Sequence, residues 1–193
     1  MPDAGQQSTT PIEVRVEKVA QLFDTLDPFP FPERDLDKDA EEYIIGWARE
    51  LPRHQPISII VHLPESEMET HDARTVASAL PRYFDYRARI AAGDIKELFR
   101  VGRTALLIGL AVLAVCLTAS QILAGRLSTS PLERFFQESL IIVGWVANWK
   151  PIEIFLYDWW PLVRRRNLFH RLAQAKVELK PFERAPNKPP VPA

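Results

Sequence analysis

GWVANWKPIEIFLYDWWPLVRRR (residues 144–166) has the Trp, Ile, Phe and Leu content of a membrane segment. Yet it carries Lys150, Pro151 and Glu153 in its middle and closes on three arginines. Whether these charges sit within a bilayer or mark its edge decides where the chain crosses and how it folds back.

A cleaner apolar run lies upstream. TALLIGLAVLAVCLTASQILAG (residues 104–125) holds no charged side chain, and roughly 20 apolar residues span a ~30 Å hydrocarbon core. Lys96, Arg100 and Arg103 precede this run, and Arg164, Arg165, Arg166, Arg171 and Lys176 follow the second one. Between the runs stand only Arg126 and Arg134, beside Glu133 and Glu138. Basic residues collect on the cytoplasmic side, so both termini are expected there and the connection outside. The polar start, MPDAGQQSTTP, has no apolar core of a signal peptide.

Two placements of the second span follow. Centred on its own hydropathy, near 140–160, it puts Lys150 close to the midplane, where a charge is costly. Folded back on the first span through a tight turn near 127–131, it brings Arg103 level with about Ile154. Lys150 then lies about one helical turn inside the inner boundary, with Glu153 close to that boundary. Lysine can snorkel that far. Trp149, Tyr157, Trp159 and Trp160 form the inner aromatic belt. This hairpin lowers Arg134, Gln137 and Glu138 toward the outer leaflet, level with Thr118, Ser120 and Gln121. A helix starting near residue 131 and kinked at Pro151 reconciles the two placements, and the hairpin is the expectation.

Residues before the spans read as a soluble domain. Ile12, Val14 and Val16 alternate with Glu13, Arg15 and Glu17, which predicts a half-buried strand. Val19, Leu22, Phe23 and Leu26 suggest a helical turn, which the prolines of DPFPFPERD end. A helix is predicted from about 37 to 51, with Ala40, Tyr43, Ile44, Trp47, Ala48 and Leu51 on one face and Asp37 as its cap. ISIIVHL (57–63) is a second strand. Another helix starts near 65–67 with Ala73, Val76, Ala77, Leu80 and Phe84 as its stripe and a kink at Pro81. Gly93 and Asp94 then punctuate the chain before the helix that enters the first span. A crossover through one helix makes the two strands parallel. Two strands alone are marginal, so either helices cover the edges or a second copy completes the sheet. NLFHRLAQAKVEL (167–179) suits a short amphipathic helix, and ERAPNKPPVPA is a Pro-rich tail.

The fold expected is thus a small N-terminal β-α-β-α cytosolic domain followed by a two-helix transmembrane hairpin. Residues 1–11 are disordered and 12–93 form the domain. Residues 94–163 form the hairpin, with spans near 104–125 and 132–160. A basic juxtamembrane helix and the tail fill 164–193.

Chemistry is sparse. Lys150 and Glu153 are spaced to pair on one helix face, as an interfacial anchor or as part of an ion path. Asp158 beside Trp159 reads the same way. His62, Glu65, Glu67 and His71 match no zinc spacing, and FPERDLDKDAEE lacks the glycine and terminal glutamate of a calcium loop. No phosphate loop, nucleophile elbow or Cys-x-x-Cys occurs, and Cys116 is the sole cysteine. No catalytic residue, cofactor or metal is therefore expected. A net charge of −1 gives no pull toward nucleic acid. Ala105 and Gly109 form a small-xxx-small pair suited to close helix packing.

LDPFPFPERDLDKDAEEYIIGWARELP, YFDYRA, GRTALLIGL and the Trp-rich stretch quoted first together resemble an uncharacterised family of small bacterial two-span inner-membrane proteins. The resemblance spans most of residues 26–166. It implies a bacterial inner-membrane location and carries over no catalytic residues. The function expected is that of a membrane-anchored interaction or scaffold protein, in contact with lipid, self-associating and open to a protein partner. An oligomeric channel or transporter subunit using Lys150 and Glu153 is the alternative, and a membrane-interface enzyme the third.

Overall fold

The computed structural model describes residues 11–24, 35–52, 54–126 and 131–182. It is mostly helical, with one small three-stranded parallel sheet and two long apolar helical stretches. The elements are β1 (Ile12–Arg15), α1 (Lys38–Glu50), β2 (Ser58–Pro64), α2 (Glu65–Met68), α3 (His71–Arg126), α4 (Pro131–Val146), α5 (Trp149–Glu153), a π-helical segment (Ile154–Asp158), α6 (Trp159–Ala173) and β3 (Lys176–Phe182). They form two compact units. One comprises residues 1–89 with 166–193, the other residues 90–165.

In the first unit the strand order is β1-β2-β3, all parallel. Ile12, Ile59 and Val177 share one cross-strand row, and Val14, Val61 and Leu179 the next of the same face. The other face carries Glu13, Ile60 and Glu178, then Arg15, His62 and Lys180. The third strand corrects the expected two-stranded sheet. It comes from the far side of the apolar region, from residues assigned above to an amphipathic helix and tail. Lys176, Glu178 and Lys180 alternate with Val177, Leu179 and Pro181, a period that fits a strand once β2 offers an edge. The third strand comes from the same chain, so a second copy is not needed to take the sheet beyond two strands.

Asp37 caps α1, its carboxylate accepting from the Asp39 and Ala40 N–H groups. Ile44 and Ala48 are buried, whereas Tyr43 and Trp47, expected on the same stripe, are each more than two-fifths exposed. The Tyr43 hydroxyl instead donates to the Glu13 carbonyl at 3.1 Å, meeting one outward group at the edge of β1.

Pro81 lies within α3 and Gly93 does not end it. Ala73, Val76, Leu80, Phe84 and Ala88 continue one buried stripe through Pro81, and that burial outweighs the lost hydrogen bond at proline; Gly93 is exposed and simply stays helical. Ala77, placed on the stripe from the sequence, is exposed, and Ala79 is buried. The turn near 127–130, the proline-rich stretch 25–34 and both chain ends lie outside the described residues.

The part of α6 from residue 166 onward belongs to this unit. Phe169 stacks on Phe84 with centroids 6.3 Å apart. Arg171, expected among the basic residues that flank the second span, donates to the Pro52 and Gln55 carbonyls at 2.8 and 3.1 Å. Beside Phe169, Arg87 pairs with Glu41 at 2.8 Å and covers the Tyr83 and Phe169 rings. Burial, and then the Glu41 charge, push the Tyr83 hydroxyl well above its ordinary range. A phenol whose folded pKa exceeds its unfolded value stabilises fully below about pH 10 and loses that contribution as pH rises through the folded value. Thermal stability against alkaline pH should therefore fall less steeply in Tyr83→Phe than in the wild type; identical slopes would contradict this.

Candidate functional site

The second unit is organised by close approach of α3 to the interrupted helix that follows α4. Gly102, Gly109 and Cys116 are buried on α3 at a seven-residue spacing, the repeat of a left-handed helix pair. On the other side Gly144, Asn148, Pro151 and Ile154 are buried. A Cβ built on Gly102 would stand 2.9 Å from the Ile154 side chain. One on Gly109 would stand 2.7 Å from Asn148 Oδ1 and 2.9 Å from the Ala147 carbonyl, and one on Gly144 2.7 Å from Leu113. Position numbers rise on one helix as they fall on the other, so the pair is antiparallel. Phe99 against Phe155, at 5.9 Å, extends the same order.

Asn148 is the polar centre of this contact and only 7% exposed. Its Nδ2 donates to the Gly109 carbonyl at 3.1 Å and to the Gly144 carbonyl at 2.9 Å. Pro151 explains the local break. It has no N–H for the Ala147 carbonyl one turn back, and the helix turns at residues 147–148 before α5. The freed carbonyl faces Gly109, where only hydrogen leaves it room. Gly109 therefore serves a contact within the chain, while Ala105 is half-buried.

Asn148, Gly144 and Gly102 were not singled out from the sequence. A signal existed, an asparagine four residues after glycine and three before proline in an otherwise apolar run. Its meaning depends on the register with α3, which a single helix does not reveal.

Lys150 and Glu153 come together, with Asp158 as a third member. Lys150 Nζ lies 3.1 Å from Glu153 Oε2 and 3.3 Å from Asp158 Oδ2. All three are at least one-third exposed, on the outer surface of the unit and outside the helix contact. Since Gly102 faces Ile154, Lys150 sits about one helical turn from the level of Gly102 and Arg103. Its ammonium extends across the π-helical segment toward Asp158.

The widened π turn leaves backbone carbonyls for other donors, and the Trp159 indole N–H donates to the Phe155 carbonyl at 2.9 Å. Trp159 stacks on Trp160, whose ring Arg164 covers at 5.2 Å. Trp149, Tyr157 and Trp160 are each more than half exposed. This is an apolar and aromatic surface with one exposed ion triad. Lys150→Gln is accordingly expected to leave membrane abundance and thermal stability in detergent close to wild type. A severely unstable Lys150→Gln restored by Lys150→Gln/Glu153→Gln would mean a buried pair instead.

Elsewhere, His62 approaches Glu13 at 3.4 Å. Among the described residues no three or more His, Cys, Asp and Glu side chains converge as metal ligands. Two helical stretches are long and apolar enough to cross a membrane, and the most apolar window of each is less than a quarter buried. That pattern suggests association with a membrane. No family model, curated protein or solved structure matches the chain.

Proposed function

We propose that the chain is an integral protein of a bacterial inner membrane, crossing it twice with both termini in the cytoplasm. Its cytoplasmic domain works through protein contacts, as an anchor or scaffold. One observation carries the topology. β1 and β2 precede the apolar helices and β3 follows them, yet they pair in one sheet. Strands on opposite sides of a bilayer could not do so. The pairing supports an even number of crossings, and the basic flanks at Lys96–Arg103 and Arg164–Arg166 support a cytoplasmic location for the shared side. The contact role is supported by the resemblance to small two-span membrane proteins.

The exposed triad at Lys150 supports a second reading, a channel or transporter subunit. Two crossings cannot enclose a pore, so that reading needs several copies with the triads facing a lumen. A membrane-interface enzyme rests on position alone.

Reporter fusions test the topology. Cytoplasm-restricted reporters at Pro11 and after Ala193 should both be active, and a periplasm-dependent reporter inserted within residues 125–131 should be active too. Ends on opposite sides of the membrane would end this reading.

A further inference from the structure

β3 is an edge strand, and its two sides differ. The Lys176 N–H donates to the Ile57 carbonyl, and Ser58 Oγ donates to the Lys176 carbonyl. Even-numbered residues thus turn their backbone groups toward β2. By alternation the N–H groups of Val177 and Leu179, and the carbonyls of Val177, Leu179 and Pro181, point outward. Among the described residues no hydrogen bond reaches them. The opposite edge of the sheet differs, since Tyr43 caps the outward carbonyl of Glu13. On the β1 edge one outward group is met, on the β3 edge none among the described residues.

We propose that the open edge of β3 pairs with β3 of a second copy, antiparallel and centred on Leu179, joining the two sheets into one. This names a partner and a surface for the contact role proposed above and rests on it. Pairing Leu179 with its symmetry mate opposes Val177 to the partner's Pro181. The Leu179 groups exchange hydrogen bonds, and each Val177 N–H donates to the other copy's Pro181 carbonyl. Proline accepts there, so its missing N–H costs little.

Charge fixes this register. On the polar face Glu178 stands opposite Lys180 of the other copy, and the symmetry repeats the pair. On the apolar face Leu179 meets Leu179. Sliding one step either way puts Glu178 against Glu178 or Lys180 against Lys180, and like charges directly opposed are destabilising. Lysine and proline on an edge normally discourage pairing with arbitrary strands. Here they reject strands that lack acid opposite Lys180 and accept β3 itself. Lys176 at Glu178 already holds that carboxylate below its ordinary range, so it is ionised for this role.

The test uses the full chain with Cys116→Ala in lipid nanodiscs or native membranes, with oligomeric state read by crosslinking and by mass in solution. The unmodified edge should give a dimer. Glu178→Lys and Lys180→Glu should each weaken it about tenfold, because each turns both symmetric attractions into repulsions. The double reversal Glu178→Lys/Lys180→Glu should restore it, since the pairs re-form with signs exchanged. Glu178→Cys/Lys180→Cys should trap a disulfide-linked dimer, as directly opposed non-hydrogen-bonded residues lie about 4.5 Å apart, within disulfide range. Either single cysteine should trap far less. A monomer, or a dimer indifferent to both reversals, would overturn the proposal. Because the reporter pattern does not depend on dimerisation, failure here leaves the topology standing.

Discussion

Gly109→Leu is expected to break the contact between the two apolar helical stretches. The first added carbon would already stand 2.7 Å from Asn148 Oδ1 and 2.9 Å from the Ala147 carbonyl. The second of these is backbone and cannot rotate away. The helices must separate, which costs about 1–3 kcal/mol in lost packing and strain. Separation also removes the bond from Asn148 Nδ2 to the Gly109 carbonyl. A buried amide left short of a partner adds about 1–3 kcal/mol, so the total should be about 3 kcal/mol or more. Asn148→Ala removes the same bond without a clash and should cost only about 1 kcal/mol, the net worth of a typical intramolecular hydrogen bond. The measurement is thermal unfolding in one detergent for the wild type and both variants. Equal stability of Gly109→Leu and wild type would remove this contact as the element that orders the unit.

Phe169→Ala is expected to destabilise the sheet-containing unit by about 3–5 kcal/mol, the cost of deleting a fully buried phenylalanine side chain. Phe169 is 2% exposed and stacks on Phe84, and Arg87 covers its ring. A domain of this size has only about 5–15 kcal/mol in hand, so the variant should be degraded faster in cells and unfold at lower temperature. Phe84→Ala should cost about as much, and the double substitution less than the sum, because the two rings share one interaction. Full additivity would mean that residues 166–182 do not pack on the N-terminal part. Phe169 follows the apolar helices by only a few residues, so the effect would be unexpected of a juxtamembrane segment lying on lipid.

Much of the fold could be read from residue patterns because the physics there is local. The alternation of Ile12, Val14 and Val16, the Asp37 cap and the uncharged run 104–125 need no knowledge of the rest of the chain. So does the expectation that Arg103 lies level with Ile154, which follows from helix rise and a short turn; Gly102 meets Ile154 in the structure. What escaped depends on distant partners. KVELKPF alternates as a strand does, but it follows the helical pattern of NLFHRLAQ, and its partner β2 stands more than a hundred residues earlier. Pro81 looks like a helix break until the buried stripe from Ala73 to Ala88 is seen to continue across it, and Gly93, though exposed, leaves the helix unbroken. Asn148 looks like one more polar residue near an interface until the antiparallel register sets it against Gly109. Arg171 looks like one more basic residue flanking the second span until α6 brings it to the carbonyls of Pro52 and Gln55.

The apolar helices thus interrupt a domain whose sheet needs both flanking segments. Ser58 and Lys176 are register partners on β2 and β3, and adjacent strands lie about 4.8 Å apart, within the Cα separation that a disulfide accepts. Cysteines at these two positions, with Cys116→Ala, should form an intrachain disulfide within intact membranes under mild oxidation, seen as a faster-migrating monomer that reduction reverses. The off-register pair Ser58→Cys/Lys180→Cys should form far less. Failure of the 58–176 bond to form while the protein is folded and membrane-inserted would contradict a sheet built from both sides of the membrane region.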